Sequence, residues 1–177
     1  DTSSVPVSAE CRGANFDRAK TISVYLMDLN KFTVRAQAAI TQAQTLATGN
    51  GQQSIETGHL LKGLLIEDAD VSPFLLKKLN VNIATLTAAL DRIAGGYPKV
   101  QGGQSGVLGR SAGDALTKAL ASTKELGDDF ASVEHLLLGL IDTSDSTSQL
   151  LKDSGATKKD LIAAIKEAYD AGLLGKN

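Results

Sequence analysis

The sequence predicts an all-α domain of eight helices, arranged as two four-helix repeats with pseudo-twofold symmetry. Three observations carry this prediction. The string His59-Leu60-Leu61-Lys62-Gly63-Leu64-Leu65 returns 76 residues later as His135-Leu136-Leu137-Leu138-Gly139-Leu140-Ile141, and these two copies hold both histidines of the chain. Apolar residues around the two strings recur at helical spacing. Aromatic residues make up 4% of the chain and there is no Trp, so the core is built from Leu, Ile, Val and Ala, which suits closely packed helices better than a sandwich.

The duplication extends well beyond the string. Upstream, Ala36-x-x-Ala39-Ile40-x-x-Ala43 aligns with Ala112-x-x-Ala115-Leu116-x-x-Ala119 at the same offset of 76. Downstream, after a deletion of one residue, Leu75-Leu76-Lys77 aligns with Leu150-Leu151-Lys152, and Leu86-x-x-Ala89-Leu90 with Leu161-x-x-Ala164-Ile165. A period of this size marks the copying of one supersecondary unit, so each copy is read against the other.

The elements follow in order. Phe32, Ala36, Ile40, Ala43 and Ala47 share one face of a helix over about 30–48, which Gly49-Asn50-Gly51 ends because both residue types accept a left-handed backbone. The string itself makes a second helix at about 57–67, whose wide Leu stripe expects burial. Ser72-Pro73 reads as an N-cap followed by Pro in the first turn of a third helix, running to about 79. Asn82 caps a fourth, with Ile83, Leu86, Leu90 and Ile93 on its inner face, ending near 94. Residues 95–109 hold six of the seventeen glycines and Pro98, a connector rather than a helix. The second copy then gives helices at about 109–126, 132–142, 146–153 and 158–171, with Ser132 and Thr157 as N-caps. Repeat one thus spans about 30–94, the connector 95–107 and repeat two about 108–171 of a domain over 27–177. Residues 1–26 match neither repeat and read as a flexible or non-native leader, with Met27 as the expected native start.

Composition excludes several function classes. A chain of 177 residues can bury a sizeable core without a staple. The formal charge is −2 with both signs interspersed, so the basic footprint of a nucleic-acid binder is missing. The single Cys11 cannot form an internal disulfide and has no second metal ligand beside it. The sequence has no apolar run long enough to span a membrane and no secretory signal, so the expected setting is soluble and cytoplasmic.

The duplicated histidines invite a metal or catalytic reading, because histidine titrates near neutrality and ligates metals. Each, however, opens a helix of its own repeat, without the further ligands a zinc site needs, and a structural role at a helix start is expected. Gly63 and Gly139 cost about 1 kcal/mol each relative to Ala inside a helix, and their duplication predicts close helix contact. The segment Gly172-Leu173-Leu174-Gly175-Lys176-Asn177 lacks the spacing and hydroxyl of a phosphate loop, and no G-x-S-x-G turn occurs. No cofactor, metal or catalytic residue is expected in this chain.

The residues Asn30-Lys31-Phe32-Thr33, Ile55-Glu56-x-x-His59-Leu60-Leu61, Val71-Ser72-Pro73, Pro98-Lys99-Val100 and Gly127-Asp128-Asp129-Phe130, in this order on the duplicated frame, resemble the Clp N-terminal repeat domain. The closest likeness is to ClpB-type disaggregase chaperones. The resemblance covers about 27–170. It implies a mobile domain tethered ahead of two AAA+ ATPase modules of a hexameric ring, which use ATP and magnesium, and it implies that this domain captures unfolded or aggregated polypeptide. The isolated domain is then monomeric. A Clp protease of the ClpA or ClpC type, whose N-terminal domain docks adaptor proteins, is the alternative. Carried over by motif, the polypeptide-binding residues are Asp128 and Glu134 as acids near an apolar groove between the repeats, with Leu116 and His135 at groove positions. His135 departs from ClpB relatives that carry leucine there, and Leu29 from a threonine often found before the family's phenylalanine. Gly58 precedes the first histidine and Glu134 the second, so function is expected on the side where the copies differ.

Overall fold

The structure, a computed structural model, describes residues 29–100 and 107–174. The leader at 1–26 and the centre of the connector lie outside these. A short 3₁₀ turn, Leu29–Lys31, precedes helix α1, Val34–Gly49. Repeat one continues with α2, Thr57–Glu67, α3, Val71–Lys78, and α4, Ile83–Gly95. Repeat two holds α5, Arg110–Leu126, α6, Val133–Asp142, α7, Ser146–Asp153, and α8, Lys158–Asp170. These are the eight helices and the order that the periodicity predicts.

Local chemistry sets most of their ends. Thr33, Asn82, Asp145 and Thr157 each cap a helix by accepting the amide hydrogen three residues on, as the Ala36 amide donates to Thr33 Oγ1 at 3.3 Å and the Thr85 amide to Asn82 Oδ1 at 3.1 Å. At α3 the expectation of a Ser72 cap is corrected. Asp68 does the capping from outside the helix, its carboxylate accepting from the amides of Asp70, Val71 and Ser72 at 3.1, 3.0 and 2.7 Å, and Ser72 lies inside the first turn. A carboxylate can satisfy three orphan amides at a positive helix end where one hydroxyl satisfies one.

The apolar faces of both repeats meet in one core. Leu61, Leu64, Leu75, Leu76, Leu86 and Leu90 from the first join Leu116, Leu137, Leu138 and Leu140 from the second, all fully or almost fully buried. Two glycines set its tightest spacing. A Cβ on Gly63 would lie 2.6 Å from the Ala39 carbonyl oxygen and 2.9 Å from the Ala43 amide, and one on Gly139 would overlap the Ala115 carbonyl oxygen and reach 3.0 Å from the Ala119 amide. In each repeat the duplicated string therefore packs backbone to backbone on the preceding helix.

The repeats are also laced together by an exchange that helical periodicity does not encode. The residues ahead of α5, Val107–Leu108, pair in parallel with Ser54–Ile55 ahead of α2. Phe32, ahead of α1, bridges in parallel to Ala131, ahead of α6. Under the offset of 76 these are one contact made twice, since Ile55 corresponds to Ala131 and Phe32 to Leu108. The hydrogen bonds agree, the Gly109 amide donating to the Ile55 carbonyl and the Thr33 amide to the Ala131 carbonyl, both at 2.9 Å. The sequence reading expects no strand, and two residues are too few for a strand pattern to show.

Candidate functional site

Helix α6 opens with Ser132 as its N-cap residue and His135 three positions later. The Ser132 amide donates to His135 Nδ1 at 2.9 Å, a capping arrangement in which His replaces the usual Glu or Gln. This acceptor role leaves the ring hydrogen on Nε2, which donates to Asp128 Oδ2 at 2.8 Å. Asp128 reaches the interior because Gly127, at φ +75°, ends α5 in the left-handed conformation and turns the chain back. Tyr169 from α8 completes the cluster, its hydroxyl 2.8 Å from Asp128 Oδ2 and 3.0 Å from Glu134 Oε1.

The Tyr169 hydroxyl is the donor shared between the two carboxyl groups. Burial, with a smaller push from Asp128, raises Glu134 above the usual carboxylate range, against the pull of His135 and its hydrogen bonds. Glu134 Oε1 and Asp128 Oδ2 both accept from the Tyr169 hydroxyl. Burial, reinforced by Glu134 and Asp128, also raises the Tyr169 hydroxyl, which keeps its hydrogen. The side chains of His135 and Asp128 are fully buried and that of Glu134 is 4% exposed.

The first repeat provides an internal comparison. The Glu56 amide donates to His59 Nδ1 at 2.9 Å, and His59 Nε2 donates to Gln52 Oε1 at 2.5 Å. Gln52, the counterpart of Asp128, donates its amide to the Ala94 carbonyl at 2.5 Å, and Ala94 is the counterpart of Tyr169 at the offset of 75. Gly58, the counterpart of Glu134, leaves room for the Tyr97 hydroxyl, which accepts from the Gly58 amide at 3.1 Å and would clash with a Cβ there. The frame itself asks only for an acceptor facing the histidine. The two acids and Tyr169 belong to repeat two alone.

Of the residues singled out from the sequence, Asp128, Glu134 and His135 come together. Leu116 does not join them. It lines a closed apolar crevice on the pseudo-twofold axis with Ala39, Leu60, Ala115, Leu136 and Leu140, too narrow to admit water. Glu134 and Leu136 lie two positions apart, about 200° round α6, so cluster and crevice occupy different faces of that helix. Leu116 and His135 are both 0% exposed, so the expectation that they line an open groove does not describe this conformation. His135 is held inside because the Ser132 amide and Asp128 use both of its ring nitrogens. Three ligand-capable atoms of Asp128, Glu134 and His135 lie within 4.8 Å of one another, and the hydrogens described above bridge them. Tyr169 was missed by sequence reasoning, although its pairing with Ala94 in the repeat alignment was the signal that could have found it.

Fold and cluster together define a class: an all-α domain of two interlaced four-helix repeats with an acidic polar cluster in the second. Residues 31–154 match the model of the Clp repeat (R) N-terminal domain. The chain is 38% identical over 141 residues to the chaperone protein ClpB of Bacteroides thetaiotaomicron, covering 80% of this chain and 16% of that protein. It is 34% identical over the same length to the chaperone protein ClpB of Porphyromonas gingivalis, again covering 80% and 16%. Among solved structures, the Hsp104 N-terminal domain from Candida albicans superposes with a TM-score of 0.66 at 20% identity, over 78% of this chain and 91% of that one. The N-terminal domain of the caseinolytic protease associated chaperone ClpD from Arabidopsis thaliana does so with a TM-score of 0.60 at 25% identity, over 80% and 96%. The protein belongs to the Clp repeat N-terminal domain family, on the ClpB side of it. It spans 16% of the length of the ClpB relatives it matches. Among the described residues, no helix is long and apolar enough to cross a membrane.

Proposed function

We propose that this domain captures unfolded or aggregated polypeptides for a ClpB-type disaggregase, whose AAA+ modules, with ATP and magnesium, form a hexameric motor that pulls on what the domain holds. The observation that carries the reading is the surface around the interlaced bridge. Val34, at the start of α1, is 84% exposed, and Phe130, just ahead of Ala131, is 47% exposed. These apolar residues stand within two positions of the parallel contact of Phe32 with Ala131, and Asp128 and Glu134, buried in this conformation, stand within four positions of Phe130 in the sequence. Apolar side chains that adapt to many sequences, with acids that attract basic or amide-rich segments, hold a client weakly and release it quickly. A module that hands clients to a motor needs that weakness.

The test is binding of a reduced, alkylated, permanently unfolded protein, followed by fluorescence anisotropy. Both Val34 and Phe130 are exposed, so the pair Val34→Ser and Phe130→Ser leaves the fold intact and weakens binding roughly tenfold, about 1.4 kcal/mol. Unchanged affinity would remove this surface from the reading. A second reading, docking of a folded adaptor, draws on a groove between α3 and the segment after α8, where Pro73 and Lys77 lie beside Phe74 and Leu173, exposed by 37% and 63%. Indifference to the unfolded chain together with stoichiometric binding of one folded partner would favour it.

A further inference from the structure

Repeat one carries an apolar surface that the fold does not require. Phe74, in the middle of α3, is 37% exposed, and Leu173, which follows α8, is 63% exposed. Leu173 is held beside α3, because Gly172 turns the chain back at φ +72°, the Leu173 amide donates to the Ala168 carbonyl at 2.9 Å, and Leu174 is anchored in the core. With Pro73 the two exposed side chains border a hollow of about 390 Å³. Under the offset of 75, repeat two has Gln149 at the position of Phe74, and its amide donates to Asp153 Oδ1 at 2.8 Å. A polar residue serves the same helix in the same frame, so the exposed phenylalanine is an addition.

The charges around this surface say what covers it. Asp70, the N-cap residue of α3, and Lys77, in its last turn, are both exposed. They stand seven residues apart, about two turns of helix, and so share one stripe with Phe74 between them. Neither side chain has an ion-pair or hydrogen-bond partner among the described residues. In repeat two the counterpart of Asp70 is Asp145, which accepts from Thr57 and from the Ser148 amide. A stripe that reads acid, phenylalanine, base along one helix is complementary to itself when turned end for end.

We propose that the occupant of this surface is a second copy of the chain, paired about a twofold axis that passes between Pro73 and Phe74, with the two α3 helices antiparallel. Asp70 of each copy then faces Lys77 of the other, and each Phe74 enters the hollow beside the other copy's Leu173. The helix dipoles oppose each other, which is their favourable arrangement. One self-complementary patch is all that such an isologous contact needs. The helix has eight residues, so the interface falls below the roughly 1,000 Å² of a stable dimer, and its dissociation constant is on the order of 0.1–1 mM. The chain is therefore monomeric at micromolar concentration, as the family resemblance implies, and pairs where copies are concentrated. Tethering in a ring supplies an effective concentration of about 1 mM. The pairing does not rest on client capture, which uses Val34 and Phe130 instead.

Sedimentation equilibrium of the 177-residue chain between about 10 μM and about 1 mM tests this, with circular dichroism as the check on folding. The mass rises toward that of a dimer over the range. Phe74→Gln, which imitates repeat two, weakens the association about tenfold or more. Asp70→Lys and Lys77→Asp each weaken it about three- to tenfold, because each sets like charges face to face twice. An equimolar mixture of these two variants regains it, and so does a chain carrying both changes. A mass that stays monomeric at the highest concentration overturns the proposal, even where a folded adaptor occupies the groove. Association untouched by Phe74→Gln, or lost through Val34→Ser and Phe130→Ser, places the contact elsewhere and overturns it as well. Loss with the charge variants and no recovery in their mixture overturns the antiparallel pairing. Binding of the unfolded protein is measured apart from all of these, so either reading can fail alone.

Discussion

His59 receives the Glu56 amide at Nδ1 and gives its Nε2 hydrogen to Gln52, so adding a proton to the ring means breaking the first of these bonds in a fully buried place. Burial, and to a lesser degree the charge of Lys62, lowers His59 to about 4. The folded value lies below the ordinary 6.5, so the stability from this group is complete above pH 6.5 and is lost as the pH falls toward 4; the full difference is worth roughly 3 kcal/mol. His59→Gln keeps an acceptor for the cap and flattens that dependence in urea titrations between pH 4 and 7. Glu134 runs the other way. Its folded value is raised above 4.5, so its contribution is complete below 4.5 and is lost as the pH rises through the folded value. Glu134→Gln imitates the protonated acid, and its urea midpoint at pH 7.5 exceeds that of the parent while the two converge near pH 4.5. A parent that is the more stable of the two at pH 7.5 would contradict the upward shift of Glu134. The sequence made the helix-start role of both histidines legible, because the N-cap and the third helical residue are three apart. It did not reveal that one histidine faces a glutamine and the other a carboxylate, a distinction that appears only when positions 52 and 128 are compared with the frame in view.

At the scale of elements, α2 and α6 are held by glycines whose absent Cβ lets a helix rest on its neighbour's backbone. Gly139→Ala forces α6 away from α5 along its length and lowers stability by about 3 kcal/mol or more, the usual penalty of overpacking a rigid contact. Gly113→Ala in α5 meets nothing nearer than Leu108 Cδ2 at 3.7 Å, so it gains up to about 1 kcal/mol from helix propensity. Urea denaturation of the two variants checks both signs, and equal effects would refute the role given to Gly139. Element boundaries were legible to within a few residues where caps are local, as at Asn82, Ser132 and Thr157. The start of α1 was placed early, since Phe32 sits on the apolar face of the pattern yet belongs to the bridge ahead of the helix. The start of α3 went to Ser72 because a distant aspartate cap, reaching forward from Asp68, has no fixed spacing to search for.

In the whole molecule the two repeats share one core and exchange the segments that precede their helices, so neither is a separate folding unit. Thr57 of α2 adds a half-buried clasp, donating to Asp145 Oδ2 at 2.6 Å across the repeats. Urea unfolding therefore shows one transition, the same by helix dichroism and by the resonances of Tyr97, which packs from the connector on His59 of repeat one, and Tyr169 of repeat two. Two separated midpoints would show the repeats to be independent. A chain of residues 108–174 alone, deprived of the partners of Leu108 and Ala131, shows little helix by dichroism. The sequence by itself determined eight helices, their order, the duplication and the family they belong to, because helical period, caps and motif spacing are properties of neighbours along the chain. The tertiary structure alone decided that the repeats interlace, that Asp128, Glu134 and His135 lie inside, that Leu116 stands apart from them, and that Tyr169 closes the cluster. Tyr169 reaches the cluster from 41 and 35 positions away and Phe32 meets Ala131 across the repeats, and packing, which no local pattern records, selects such contacts.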